Sequence, residues 1–292
     1  MNTQTKGLLI TTLGVLCVLP DSLFIRLIDA DALVIAFWRN LMAGMGVLIG
    51  VLVFQGTAPF RAVMATGING WIYVVTLGAS GVLFVIAISL TSVANAVFII
   101  ASMPIFAAIF SRVFLSEKIS PRMMITIVCV TVGLGVIAYG SGETSNASLV
   151  GDVAALLVAA SFAAGLTAVR GVKDVSMVPA VPIAYVGAAL LILPFVDVFS
   201  VPSDQVWMLP VYGGFIVASA TLLALGPRYI TSAEVALLIL LESVLAPIII
   251  WALLGEQPGR WALIGGALVV GALAGSNIIA LRRKRGVKAP LQ

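Results

Sequence analysis

The sequence predicts an all-α integral membrane protein: ten transmembrane helices, built as two inverted five-helix repeats, with both termini cytoplasmic. Three observations predict it. First, of 292 residues 61% are hydrophobic and only 10% charged, with a mean hydropathy of +1.19. Soluble domains carry about 25% charged residues, so there is too little polar surface here to coat a water-facing globule. Second, the apolar residues fall into ten runs of roughly the 20-residue length that spans a bilayer. Third, the two halves of the chain align with each other, five runs to each.

The runs lie near 7–25, 32–53, 67–88, 93–115, 122–140, 150–170, 179–199, 207–226, 232–254 and 261–281. The first, "KGLLITTLGVLCVLP", has a charged start at Lys6 like a signal peptide, but no small-residue cleavage site follows, so it reads as a retained span. Turn-forming stretches separate the others, as in "FQGTAPF" (54–60), "GSGETSNAS" (140–148) and "FSVPSD" (199–204). With the N-terminus cytoplasmic, the inside set of basic residues is Lys6, Arg61, Arg112, Lys118, Arg122, Arg170, Lys173, Arg228 and the five of the tail "RRKRGVK" (282–288). Only Arg26 and Arg260 fall outside, and Arg39 lies within a span. That asymmetry sets the orientation.

The segment "TSVANAVFIIASMPIFAAIFSRVFLSEKISPR" (91–122) lies over "TSAEVALLILLESVLAPIIIWALLGEQPGRW" (231–261) with a one-residue slip. Across the offset Tyr73 matches Tyr212, Ser80 matches Ser219 and Glu117 matches Glu256; Gly7 and Arg26 similarly match Gly151 and Arg170. The implied units are 1–140, 149–282 and a basic cytoplasmic tail, 283–292. Because five is odd, the second copy enters the membrane upside-down. Inverted repeats of this kind build secondary transporters, with the substrate at the midplane between them.

Other classes are excluded by what is missing. A net charge of +4 comes with a single basic run, next to an apolar segment, where it anchors to anionic headgroups; nucleic acid is not an expected partner. There is no histidine, and Cys17 and Cys129 sit apart in apolar runs, so neither a metal, a cofactor nor the catalytic clusters of a membrane-bound lipid-modifying enzyme is expected. No G-x-x-x-x-G-K-[ST] loop is present, which leaves a gradient as the driving force.

Ten spans in two five-helix repeats, "AFWRN" (36–40) in the second span, and fourth and ninth spans running into "LSEKIS" and "LGEQPG" resemble the EamA-like branch of the drug/metabolite transporter superfamily, and within it bacterial amino-acid exporters of the YddG type. The resemblance covers essentially the whole chain. It implies a multi-pass inner-membrane exporter of small metabolites, most simply amino acids, working by alternating access; a drug or nucleotide-sugar carrier is the alternative on the same fold. The chain departs from the family where members commonly carry Glu-Pro in the ninth span. Here Glu242 is followed by Ser243, the proline is at 247, and Met103 holds the position matching Glu242.

Within "ALLILLESVLAPIII" (236–250), Glu242 is a charge near the bilayer centre, which costs about 2.5–3.5 kcal/mol on insertion scales. Pro247 lacks the N–H that would bond the Ser243 carbonyl, so the two make a polar patch suited to an ammonium group or a proton. Asp21, just after Pro20, and Arg39 are the other buried charges: a structural pair, or with Arg39 turned to a substrate carboxylate. Pro104 frees the carbonyl of Ile100 near Asn95 and Ser102, which with Ser80 and Ser243 offer hydrogen bonds to a zwitterion. Tyr73 and Tyr212 are candidate cavity aromatics, and Gly78 and Gly81 candidate flexing points. Glu117 and Glu256, at helix–helix turns, read as structural locks, with Ser120 and Pro121 starting the following helix. A monomer is the expected functional unit.

Overall fold

The computed structural model describes residues 3–140, 148–169, 172, 175–225, 229–230 and 232–287. Arg170, Lys173, Arg228 and Lys288, used above for orientation, lie outside the described residues. Regular structure among the described residues is helical throughout: α1 (Thr3–Val18), α2 (Pro20–Leu27), α3 (Ala32–Gln55), α4 (Ala58–Met64), α5 (Ile68–Leu90), α6 (Val93–Ile100), α7 (Met103–Phe114), α8 (Pro121–Gly140), α9 (Leu149–Val169), α10 (Ala180–Ile192), α11 (Met208–Leu225), α12 (Ser232–Leu254) and α13 (Arg260–Val287). Seven helical stretches are long and apolar enough to cross a membrane: Gln4–Leu27, Ala32–Gln55, Ile68–Leu90, Val93–Phe114, Pro121–Gly140, Leu149–Val169 and Arg260–Ile279. Three shorter apolar helices, Ala180–Phe195, Met208–Leu223 and Leu238–Leu254, occupy the other three predicted runs.

Proline chemistry shapes two of the spans. Pro20 cannot donate to the preceding turn, so α1 hands over to α2 at Leu19, which keeps helical dihedrals (φ −53°, ψ −39°). The break places Asp21 in the first turn of α2, where the helix dipole favours an anion. Pro104 has a larger effect than one freed carbonyl: the fourth span divides into α6 and α7 at Ala101–Ser102. Ser92 caps α6, its Oγ accepting the Asn95 N–H at 3.1 Å. At the break, Ser102 Oγ donates to the Ile99 carbonyl at 2.6 Å, satisfying an oxygen that the helix end exposes. In α12, by contrast, Pro247 sits inside a continuous helix.

The turns at the ends of α7 and α12 use the same device. Ser116 and Gly255, which match across the two halves, both have positive φ, 56° and 70°, ending their helices with a left-handed residue. Ser120 Oγ accepts the Met123 N–H at 3.2 Å, so α8 starts at Pro121 behind a serine cap.

Helices from the two halves interleave. α5 packs along α9, α11 along α1, α8 along α13, and α3 along α10. Small residues permit the close approaches: a side chain at Gly78 would meet the Ala184 carbonyl of α10 at 2.8 Å, and one at Gly133 in α8 the Gly265 carbonyl of α13 at 2.9 Å. Apolar side chains such as Phe54, Ile125, Leu191 and Leu253 cover the outer faces. That suits lipid, because the bilayer imposes no penalty on them.

Candidate functional site

Three buried side chains from three helices meet at the seam between the halves. Arg39 (α3) donates to Asp21 (α2) through Nε to Oδ1 at 3.0 Å and through Nη2 to Oδ2 at 2.5 Å. Tyr212 (α11) donates its hydroxyl to Asp21 Oδ1 at 2.5 Å. Asp21 and Tyr212 are each 1% exposed. A two-pronged guanidinium–carboxylate pair with a further donor is how a charge is retained in a low-dielectric interior. Aromatic rings wall the pair: Phe24 stacks on Tyr212 with centroids 5.1 Å apart, and the Arg39 guanidinium lies 5.2 Å over Phe84. Tyr185 (α10) is an electrostatic neighbour of Arg39, and Glu242 (α12) of both Asp21 and Arg39.

Every residue of "AFWRN" makes a defined contact. Trp38 Nε1 donates to the Val198 carbonyl at 2.9 Å, tying α3 to the chain after α10. Phe37 is in the core, edge-on to Trp38, Arg39 holds Asp21, and Asn40 Nδ2 donates to the Ala36 carbonyl at 2.8 Å.

A second polar cluster lies at one end of the bundle. Arg26, at the end of α2, pairs with Glu256 (Nε to Oε2 3.1 Å; Nη2 to Oε1 3.3 Å) and donates to the Thr91 carbonyl at 2.8 Å. Glu256 Oε1 also accepts the Val93 N–H at 2.8 Å, at the start of α6. The neighbouring Thr91 hydroxyl donates to Asp152 Oδ1 at 2.6 Å, and Asn95 Nδ2 lies 3.2 Å from the same oxygen. Asp152 sits in the first turn of α9. Ser148 Oγ donates to the Leu90 carbonyl at 2.6 Å, and Asp29 N–H to Gln205 Oε1 at 2.8 Å. All of these contacts except that of Arg26 with Thr91 join the first half of the chain to the second.

The sequence-selected residues therefore divide. Asp21, Arg39 and Tyr212 come together, with Glu242 in electrostatic range. Asn95 is engaged with Asp152 at the bundle end. Ser80 and Ser102 donate within their own helical turns, to Leu77 and Ile99. Ser243 Oγ reaches the Val97 carbonyl of α6 at 3.5 Å. Tyr73 is half-buried beside Gly165 of α9, in electrostatic range of Tyr185. Pro247 lines an apolar groove of about 730 Å³ with Phe98, Trp251, Pro258 and Val270. Gly78 and Gly81 lie in an unbroken α5, at its contacts with α10 and α3. Glu117 lies in the turn after α7, its N–H bonded to the Ser111 carbonyl, and Glu256 joins α2 and α6 rather than its own hairpin. Sequence reasoning missed Asp152, whose signal was a carboxylate one residue after the matched Gly151.

The EamA-like transporter family model matches residues 5–139 and again 149–278. The chain belongs to this family. EamA-like proteins, part of the drug/metabolite transporter superfamily, are multi-pass membrane transporters of small molecules rather than enzymes. A protein known from a crystal structure is similar over 96% of this chain and 99% of its own, with a TM-score of 0.62 and 16% identity; that likeness concerns the fold alone. No curated protein matches the chain.

Proposed function

We propose that this EamA-like protein is a secondary transporter that exports amino acids, with hydrophobic or varied side chains, across a bacterial inner membrane. The observation that carries the reading is the buried constellation of Asp21, Arg39 and Tyr212 with Glu242 in electrostatic range, drawn from both halves of the chain. Arg39 offers its remaining nitrogen to a carboxylate, and Glu242 receives an ammonium group or a proton. Its one cation is already paired with Asp21, which suits a zwitterion better than the several phosphates of a nucleotide sugar.

The reading includes ten spans, both termini inside, and two inverted repeats acting as a monomer. The packing supports it. Exchanging each helix for its counterpart in the other half turns α5 on α9 into α11 on α1, and leaves α8 with α13 and α3 with α10. Alternating access then follows as rocking of one repeat against the other. The Arg26–Glu256 and Asp152 contacts close the outer end in this conformation, and the broken α6–α7 span provides a place to bend. The test uses purified protein in liposomes loaded with a labelled amino-acid mixture, assayed at two pH values. Efflux above empty liposomes supports the reading; none for any amino acid overturns it.

A further inference from the structure

Three buried side-chain atoms flanking the Asp21–Arg39 pair have no hydrogen-bond partner: Ser22 Oγ, Arg39 Nη1 and Asn40 Oδ1. Their residues are 3%, 7% and 0% exposed. Buried polar groups are nearly always satisfied, so an unpaired donor and an unpaired acceptor on adjacent residues require a reason. The Asn40 amide cannot relieve this by flipping. The Ala36 carbonyl only accepts, so Nδ2 must face it, and Oδ1 is left pointing away. Likewise Arg39 commits Nε and Nη2 to Asp21, leaving Nη1.

Both leftover atoms address the same face of α5. The Arg39 guanidinium lies over Phe84. A Cβ placed on Gly81, one turn earlier, would stand 2.5 Å from Asn40 Oδ1 and 3.2 Å from the Tyr185 ring. A side chain at Gly81 would therefore block that oxygen, and Tyr185 neighbours both Arg39 and Gly81. One donor set suited to an anion and one acceptor suited to an N–H donor, a residue apart, match the two ends of an α-amino acid.

We propose that Asn40 is the specificity-determining residue for the substrate's amino group, its Oδ1 accepting one ammonium N–H while Arg39 Nη1 takes the carboxylate, with Gly81 keeping the approach open. The inference rests on the amino-acid reading above and deepens it. In the ligand-free conformation the α5 backbone at Gly81 lies against the amide oxygen, a weak contact, so separation of α5 from α3 uncovers it at small cost. Ser22, beside Asp21, supplies a hydroxyl at the same seam.

The experiment measures binding of three probes to the purified full-length protein: L-phenylalanine, 3-phenylpropionate, which lacks the amine, and 2-phenylethylamine, which lacks the carboxylate. Asn40→Leu, close in size and without the acceptor, is expected to weaken phenylalanine and phenylethylamine at least about tenfold and leave phenylpropionate within about twofold. Gly81→Ala, which leaves Asn40 in place, is expected to reproduce the amine-specific loss, and Asn40→Asp, which keeps an acceptor, to retain phenylalanine binding. Equal weakening of all three probes by both variants, or unchanged phenylalanine binding, overturns the proposal while leaving the amino-acid reading standing. If the unsubstituted protein binds no amino acid, that reading and this one fall together.

Discussion

Replacing Glu256 with Gln removes one charge and little else. The amide oxygen still accepts the Val93 N–H that Glu256 Oε1 accepts at 2.8 Å, so α6 keeps its cap. What is lost is the ionic part of two contacts to Arg26, at 3.1 and 3.3 Å, between side chains 17% and 11% exposed. At that burial solvent screens only part of the interaction. Going from charge-assisted to neutral hydrogen bonding then costs the outer-closed conformation about 2 kcal/mol, a shift of roughly 30-fold toward the outward-open state. The assay is thiol labelling in a background without Cys17 and Cys129, with Ser80→Cys as reporter. Ser80 is 3% exposed, ten residues or about 15 Å below the end of α5, and cysteine is nearly isosteric with serine. A membrane-impermeant reagent applied from outside should label it about 30-fold faster in the Glu256→Gln protein, and Arg26→Gln should act alike. Unchanged labelling in both, with the protein folded, would refute the role of this pair as an outer closure.

The remaining predictions concern stability. Asp21→Asn leaves Arg39 buried without its counter-charge and should cost about 3–5 kcal/mol, read as a lowered melting temperature of the detergent-solubilised protein; Tyr212→Phe, which removes one bond, should cost about 1.5–3 kcal/mol. At the matched turns the signs should oppose: Gly255→Ser should destabilise by about 1 kcal/mol, whereas Ser116→Gly should be neutral or slightly stabilising, because both positions have positive φ.

Much of this architecture was legible because a bilayer imposes a length and a composition on each helix. Every predicted run coincides with a long apolar helix or one of the three shorter ones. Proline was less readable. Pro104 accompanies a full break and Pro247 sits in a continuous helix, a difference that depends on what surrounds each turn. In the site, Asp21 and Arg39 could be offered as a pair from sequence because both were charges in neighbouring spans, beside the alternative of Arg39 turned to a substrate carboxylate; the structure shows them paired. Tyr212 could be selected by its match to Tyr73, but its bond to Asp21, 191 residues away, could not. Asn95 read as a hydrogen-bonding group for a zwitterion; its engagement with Asp152 follows from α6 packing on α9. Glu256 read as a lock on its own turn, where the structure gives it a partner 230 residues away. Asn40 entered only as the last residue of "AFWRN", because the missing donor to its oxygen is visible only in the structure.

The inversion of the two halves is tested most directly at Lys118 and Gln257, which occupy matching positions in the repeats and are both exposed. In the cysteine-free background, each is replaced by cysteine and labelled with an impermeant thiol reagent from either side of the membrane. Lys118→Cys should react only from the cytoplasmic side and Gln257→Cys only from the opposite side. Reaction of both from the same side would contradict the inverted arrangement, and with it the seam at which Asp21, Arg39, Tyr212 and Glu242 are proposed to meet the substrate.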